Sequence, residues 1–136
     1  MTDDFTVAPE VYNYEAKICR VIDGDTVDLE VDLGFDLSKR CRVRLSGINA
    51  PELRGKEKPS GKESKEFLTN LLENQRVIFR SENRQDSFGR WLGSLHIGGI
   101  NVNKLMVQSS QAVFQAYNSS QTKSGNSILR RLLRFF

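Results

Sequence analysis

The stretch VIDGDTVDL, residues 21–29, decides how the first part of the chain folds. Asp23, Gly24 and Asp25 lie between two apolar, β-type runs, and an Asp-Gly pair is typical of a hairpin turn. Over residues 26–33 apolar and acidic residues alternate without a fault, so one face of this strand is expected to be buried. The stretch therefore predicts two antiparallel strands joined at Asp23-Gly24. Two explanations of the aspartates stay open here: solvated acids in a type I′ turn, or carboxylates placed to act on a charged substrate.

Three further segments have the pattern of strands. Residues 40–48, RCRVRLSGI, alternate apolar residues with arginines. Residues 75–82 and 90–97 are two more strand-like runs, separated by the polar loop NRQDSFG. With the two strands of the hairpin, predicted over 14–22 and 26–33, the sequence predicts five strands, with Leu33 facing the core.

Helical spacing begins after the third strand. Ser60 and Glu63 match a capping box. Four apolar residues that share one helix face follow, and the predicted helix ends near residue 73; these residues are Phe67, Leu68, Leu71 and Leu72. Asn101 is predicted to cap a second, short helix through Met106.

This order of elements predicts an α+β protein, a five-stranded OB-type β-barrel with about three helices. The predicted organisation is an N-terminal arm at 1–13 and a single barrel domain at 14–117. Residues 118–136 are predicted as a C-terminal loop and a short basic amphipathic helix, ILRRLLRFF, that docks on the same domain. The apolar face of that helix consists of Ile128, Leu129, Leu132 and Leu133.

Composition narrows the class of protein. With 136 residues, 38% hydrophobic and 27% charged, the chain has the composition of a soluble domain with its own core. The opening MTDDFTVAPE lacks the features of a signal peptide, and no apolar run reaches the roughly 20 residues that cross a bilayer. We therefore expect a cytoplasmic monomer with no membrane contact and no obligate protein partner. Cys19 and Cys41 are too few for a zinc cage, and both are expected to be buried, reduced thiols.

Charge is distributed unevenly along the chain. Residues 1–36 hold ten acids and two bases, a net charge of −8, whereas residues 37–136 hold eighteen bases and seven acids, a net charge of +11. Such a distribution favours a polyanionic partner, with an acidic region that holds a cation against it. A charge run by itself is more often a solvated surface, so this feature needs support from specific residues.

Three fragments hold the residue types that phosphodiester hydrolysis needs: DGDT at 23–26, VRLSGINAPE at 43–52 and DSFGR at 86–90. The reaction requires cations near the phosphate oxygens and a carboxylate or metal ion that activates water. Guanidinium groups match two phosphate oxygens at once, and a hard divalent cation prefers oxygen ligands. Each fragment is weak evidence alone, but their combination favours a phosphodiester site over a simple solvated turn.

The fragments VIDGDTVDL, RVRLSGINAPE and DSFGR, together with NVNKLMV, resemble the staphylococcal nuclease (thermonuclease) family over residues 14–116. The resemblance implies a distorted OB barrel and a calcium-dependent phosphodiesterase, an endonuclease that cuts DNA, RNA or both with little sequence preference. It also implies that nucleic acid is the partner.

The resemblance implies a metal site as well. Asp25 corresponds to a direct calcium ligand, Asp23 to an outer-sphere ligand acting through water, and Ala50 to a main-chain carbonyl ligand. The family usually has an aspartate where this chain has Asn49. An asparagine carbonyl can coordinate calcium but contributes no charge, so weaker calcium binding, or a preference for another divalent cation, is expected with slower catalysis.

The resemblance assigns catalytic roles to three residues. Glu52 corresponds to the general base for the attacking water, and Arg44 and Arg90 to the groups that grip the phosphate. Phe88 stands where the family often has a tyrosine that stacks on the nucleotide, and with Asp86 it is assigned to nucleic-acid binding. Trp91 and His96, in contrast, are expected to be ordinary strand residues, with Trp91 in the core or at its rim.

A competing hypothesis is a catalytically weakened or inactive nucleic-acid-binding module of the same fold. Asn49 favours it, because the site loses one negative charge. The combination of Asp25, Arg44, Glu52 and Arg90 opposes it, because binding alone does not require these four residues together. The sequence leaves open DNA against RNA, endonuclease against exonuclease action, and which end keeps the phosphate.

Overall fold

The structure is a computed structural model that describes residues 12–116. This range contains five long strands: β1 Tyr12–Asp23, β2 Thr26–Gly34, β3 Leu37–Leu45, β5 Arg76–Gln85 and β6 Trp91–Ile97. It also contains three two-residue strands: β4 Ile48–Asn49, β7 Ile100–Asn101 and β8 Val113–Phe114. Two α-helices, α1 Lys58–Leu72 and α2 Val102–Gln108, and a 3₁₀ turn at Gly55–Glu57 complete the described part.

The long strands form a closed barrel. Neighbouring strands follow the order β3-β2-β1-β5-β6, and all of these pairs are antiparallel. Closure comes from a parallel pairing of β3 with β6, in which Val43 lies opposite Trp91 and Leu45 opposite Gly93. The predicted α+β fold with a five-stranded OB-type barrel is therefore confirmed.

Alternation along the strands fills the barrel interior. The core includes apolar side chains from β2 and β3 and one face of each helix: Val27, Leu29, Val31, Val43, Leu45, Leu68, Leu72, Val102 and Met106. Phe67 and Leu71 of α1 pack at the edge of this core, which confirms the predicted apolar face of α1. Trp91 also packs there, as expected.

The start of α1 differs from the prediction. The capping box at Ser60 and Glu63 is wrong, because α1 begins at Lys58 and its N-cap residue Glu57 makes no side-chain capping hydrogen bond. Pro59 lies in the first turn of the helix, where its missing N–H would have no intrahelical partner. Proline, and not a serine cap, therefore marks the start of this helix.

The cysteine prediction is wrong for Cys19, which is exposed, and Cys41 is only partly buried. Ile18 pairs with Leu29 and Arg20 with Asp28, so Cys19 is an extra residue in a β-bulge of β1. The bulge interrupts the alternation from which burial was predicted.

Leu33 is exposed instead of facing the core. The pairing of β1 with β2 ends at Val31, and beyond it β2 pairs with β3 alone. The two strands then continue to a turn at Phe35 and Asp36, both in the left-handed region with φ of 57° and 62°. Leu33 therefore lies in the part of the β2–β3 hairpin that extends beyond the pairing with β1, and its side chain is exposed.

Other boundaries agree or lie outside the described residues. The side chain of Asn101 caps α2 by accepting a hydrogen bond of 3.1 Å from the Lys104 amide, as predicted. Tyr12 and Asn13, which were assigned to the arm, belong to β1. The rest of the arm and the predicted C-terminal helix fall in residues 1–11 and 117–136, outside the described range. Over residues 12–116, no helix has the length and apolar character that crossing a bilayer requires.

A buried asparagine in α2 joins the helix to the closure of the barrel. Asn103 is 1% exposed, and its Nδ2 donates to the carbonyls of Ser46 at 2.9 Å and Gly93 at 3.2 Å. Its Oδ1 accepts a hydrogen bond of 3.3 Å from the amide of Leu95. One side chain thus satisfies backbone groups beside both β3 and β6, where the parallel pairing closes the sheet.

The substitution Asn103→Ala is expected to lower the free energy of unfolding by about 3 kcal/mol, because the carbonyl of Ser46 loses its buried side-chain donor and the amide of Leu95 loses its side-chain acceptor. Urea denaturation measures the change. Asn101→Ala is the control, since losing a helix cap costs about 1 kcal/mol. Equal losses in the two variants would contradict this role of Asn103.

Candidate active site

The turn between β1 and β2 carries a buried carboxylate. Asp25 is 6% exposed, and its Oδ2 accepts a hydrogen bond of 2.8 Å from the backbone amide of Ala50. Its Oδ1 accepts one of 3.0 Å from the hydroxyl of Thr26. The Asp25 amide donates to Asp23 Oδ1 at 3.0 Å, and the Asp25 carbonyl accepts from the Leu45 amide at 2.7 Å. The backbone and side chain of Asp25 are therefore fixed by three segments of the chain.

Gly24 is needed because two other segments approach it closely. None of residues 23–25 has a positive φ, so the turn is not the type I′ turn considered from the sequence. A Cβ at position 24 would overlap Ser64 Oγ of α1 and lie 2.7 Å from Ala50 Cβ. The glycine therefore allows the turn to lie against both α1 and the segment that follows β4.

Arg44 lies beside this carboxylate. It pairs across the sheet with Thr26, and its side chain is only 14% exposed. Its Nη1 donates to the Leu45 carbonyl at 2.8 Å, while its Nη2 lies 3.4 Å from both Asp25 Oδ2 and Asn49 Oδ1. The short bond to the backbone orients the guanidinium, and the two longer contacts leave it near the Asp25 carboxylate without a tight ion pair.

Burial raises the pKa of Asp25 from 3.8 to about 6. A hydrogen bond and charge repulsion from Asp23 act in the same direction, whereas Arg44 and the Ala50 amide act to lower the pKa. Burial and the second carboxylate therefore outweigh the guanidinium. A further positive charge at this place would favour the ionised carboxylate.

Oxygen donors of the kind that hard cations prefer lie around this carboxylate. Besides Asp25 itself, they are the carboxylate of Asp23, the exposed amide side chain of Asn49 and the main-chain carbonyl of Ala50, the residue whose amide donates to Asp25. Over residues 12–116, however, no group of three or more His, Cys, Asp or Glu side chains is placed to hold a metal ion. The donor set suits a divalent hard cation in chemical type, with two carboxylates and an uncharged amide.

The loop before β6 holds the second arginine. Asp86 Oδ1 accepts hydrogen bonds from the amides of Phe88 at 2.9 Å and Arg90 at 3.0 Å, and its Oδ2 accepts from Arg90 Nε at 2.7 Å. Burial acts to raise the pKa of Asp86, but these hydrogen bonds and the charge of Arg90 together lower it. The guanidinium of Arg90 lies 5.3 Å from the centre of the Phe88 ring, which is 82% exposed. In this structure Asp86 positions Arg90 and its loop.

The predicted site residues are thus brought together to different degrees. Asp25, Arg44, Asn49 and Ala50 are in direct contact. Trp91, the first residue of β6, pairs with Val43, so Arg90 immediately precedes the strand next to the one that bears Arg44. The Glu52 side chain is exposed, and the Glu52 amide donates to Glu57 Oε2 at 3.1 Å. The catalytic and ligand roles of these residues stay predictions.

Two residues of this site were missed in the sequence. Thr26 lies in the DGDT fragment but was given no role of its own, although a hydroxyl next to Asp25 is a signal for a local hydrogen bond. Ser64, the residue that Gly24 contacts, donates from its hydroxyl to the Gln111 carbonyl at 2.7 Å. No local pattern indicates this contact, because 47 positions separate Ser64 from Gln111.

The fold and this cluster define an OB-type barrel with a buried acid, an arginine and oxygen donors at one turn. The family model described as staphylococcal nuclease homologue matches residues 42–131. The chain belongs to this family.

Individual relatives agree with this assignment. The chain is 30% identical over 123 residues to a micrococcal nuclease from Shigella flexneri, covering 84% of this chain and 66% of that protein. It is 30% identical over 105 residues to a thermonuclease from Staphylococcus hyicus, covering 74% and 59%. A staphylococcal-like nuclease from Arabidopsis thaliana is 33% identical over 78 residues, with 56% and 22% covered. The chain thus spans less than two thirds of the length of each of these relatives.

The substitution Gly24→Ala is expected to lower the free energy of unfolding by about 1–3 kcal/mol, because the new methyl group overlaps Ser64 and Ala50. Chemical denaturation measures the loss. Ser64→Ala combined with Gly24→Ala is expected to cost less than the sum of the two, since both substitutions act on one contact. Losses that add within about 0.5 kcal/mol would contradict this explanation of the glycine.

Proposed function

We propose that this protein is a metal-dependent nuclease that hydrolyses phosphodiester bonds of DNA, RNA or both with little sequence specificity. The observation that carries the proposal is the buried Asp25 carboxylate, bonded to the Ala50 amide at 2.8 Å and 3.4 Å from the Arg44 guanidinium. Membership of the staphylococcal nuclease homologue family, and relatives named micrococcal nuclease and thermonuclease, support it.

The residues that would hold the cation are Asp25, Asn49 and the Ala50 carbonyl, with Asp23 acting through water. Calcium is the proposed ion, and another divalent cation is the alternative because Asn49 brings no charge. When bound, such an ion supplies positive charge at the phosphate and lowers the pKa of a water molecule. The burial of the Asp25 carboxylate close to Asp23 supports this place for the ion, because a positive charge there would stabilise two neighbouring acids.

The two arginines are proposed to hold the phosphate and to offset the charge that develops on its oxygens. Arg44 is mostly buried, so its charge acts in a medium that screens it less than water does. Arg90 is held in place by the Asp86 carboxylate, which fixes its direction before substrate arrives. Preorganised charges of this kind need little rearrangement during the reaction.

Glu52 is proposed as the general base. Its side chain is exposed, so it can reach a water molecule, and it lies two residues after Ala50 in the segment that Asp25 anchors. Phe88 is proposed to stack on a base of the substrate, because its ring is 82% exposed beside Arg90.

A second candidate is a nucleic-acid-binding module with weak or absent catalysis. The observation that favours it is Asn49, an uncharged side chain near Asp25 and Arg44. The two candidates differ in one measurable respect, since the binding module would retain a labelled oligonucleotide without shortening it in calcium, magnesium or manganese.

Arg44→Ala and Arg90→Ala are each expected to slow cleavage of plasmid or single-stranded DNA by about 10²–10³-fold, by analogy with deletion of one oxyanion donor. Gel assays with calcium, magnesium or a chelator measure the rate. Arg76→Ala, on an exposed arginine of β5, removes the same charge and is the control. Full activity in the Arg44 and Arg90 variants would point to a contaminant or to a different site.

Asn49→Asp is expected to bind calcium more tightly and to cleave faster, because it adds a charged oxygen ligand. Calorimetric titration with calcium, together with the cleavage rate, measures both effects. Asn74→Asp, at an exposed position after α1, adds the same charge elsewhere and is the control. If Asn49→Asp and Asn74→Asp bind calcium equally, Asn49 is not a ligand.

A further inference from the structure

The outer face of the barrel carries a row of charged residues that leads away from Arg90. Across neighbouring strands, Arg20 of β1 lies opposite Asp28 of β2, and Asp28 lies opposite Arg42 of β3. The parallel pairing of Val43 with Trp91 places position 42 next to Arg90. The row therefore runs across β1, β2 and β3 to the loop that holds the proposed catalytic arginine.

Three arginines surround the single acid of this row. Arg42 forms a two-pronged ion pair with Asp28, with Nε at 2.8 Å and Nη2 at 3.0 Å from the two carboxylate oxygens. Its hydrogen bond, together with the charges of Arg42, Arg40 and Arg20, lowers the pKa of Asp28 despite partial burial. The Arg42 side chain is still 50% exposed. We call Arg20, Arg40 and Arg42 the arginine ridge. Its three positive charges face two carboxylates, because Asp28 lies between Arg20 and Arg42, and Glu30 lies opposite Arg40.

The opposite end of the same face is acidic. A concave pocket of about 230 Å³ lies between β1, β2, β3 and β5, and its lining includes four acids: Glu15, Glu30, Asp32 and Asp36. Two cations also line it, Lys17 and Arg76, and Arg76 lies 3.6 Å from Glu15. The electrostatic potential of the face therefore changes sign along the strands, and its positive end is the one next to Arg90.

We propose that the arginine ridge binds phosphates of a single-stranded nucleic acid, beyond the phosphate held at the active site. The inference deepens the proposed function and rests on it, because it places the cleaved bond near Arg90. The strand crosses β3, β2 and β1, and the acidic pocket repels it from the other direction. A single strand is favoured over a duplex because the exposed Phe88 ring beside Arg90 offers a stacking surface for an unpaired base.

The dimensions of the row fit several phosphates. Neighbouring strands lie about 4.8 Å apart, so the three steps from β1 to β6 span about 14 Å. A stacked strand carries one phosphate per about 3.4 Å, so the row is long enough for about four phosphates. The Asp28 carboxylate competes with these phosphates for Arg42, which limits the affinity of the ridge.

The test measures binding of the full 136-residue chain to a fluorescent single-stranded oligonucleotide of roughly 12 nucleotides, in chelator and over about 50–200 mM salt. Arg20→Ala is expected to weaken binding about eightfold at 50 mM salt, and to lower the slope of log K against log salt by about 0.7, the value for one lost phosphate contact. Arg76→Ala is the matched control: it removes the same charge from the same face, at the acidic end.

A second pair of variants removes a negative charge from the same face instead of a positive one. Asp28→Asn is expected to tighten binding, because it removes the carboxylate that occupies Arg42. Glu15→Gln, in the acidic pocket, removes an equal negative charge and is its control. If Asp28 served stability alone, its variant would unfold more easily without binding nucleic acid more tightly.

Binding to the arginine ridge and nuclease activity are measured in separate experiments, so each proposal can fail without the other. Weaker binding in Arg20→Ala than in Arg76→Ala, with tighter binding in Asp28→Asn than in Glu15→Gln, supports the ridge. Equal binding in Arg20→Ala and Arg76→Ala, or no binding by the unmodified chain in chelator, overturns it. Cleavage by the unmodified chain is measured separately with divalent cations, and its absence overturns the proposed function while the binding comparison still decides on the ridge.

Discussion

The hydrogen bond from the Ala50 amide to the Asp25 carboxylate connects two turns that are 25 residues apart in the chain. It is buried, so the Ala50 amide does not have water as an alternative partner, and losing this bond would leave an unpaired donor in the interior and remove the shortest hydrogen bond to the carboxylate. The other site contacts depend on it. It fixes the carboxylate beside Arg44, sets where the segment with Asn49 and Glu52 begins, and requires a glycine at position 24.

Most of the barrel could be predicted because period-two alternation is a local signal. The strands around Val27 and Val43 obey it, the helix face with Leu68 follows the equally local helical period of about 3.6 residues, and all three residues are fully buried. The errors arise where another constraint acts. A bulge exposes Cys19. Pro59, in place of a serine cap, sets the start of α1.

The site could be predicted in its residue types, through the resemblance, but not in its contacts. The sequence shows that Asp25, Arg44 and Asn49 are present, whereas their separations of 3.4 Å follow from the register of β2 against β3, which places Arg44 opposite Thr26, and from the path of the chain after β3. Asn103 was missed as well. It is a polar residue inside an apolar helical run, and its partners lie up to 57 residues away. Contacts at such separations depend on tertiary structure, which local patterns do not encode.

The parallel pairing of β3 with β6 has a consequence for how this protein acquires its site. Residues 43–45 meet residues 91–93 only after the intervening helix and strand have found their places, and closing so long a segment carries a large entropic barrier. The neighbourhood of Arg44 and Arg90 therefore exists only once this slow, non-local step is complete. A nascent or partly opened chain can hold the β1–β2 hairpin and still lack the site. The arrangement of Arg44 and Arg90 would therefore be lost when the β3–β6 pairing opens, before the whole barrel unfolds.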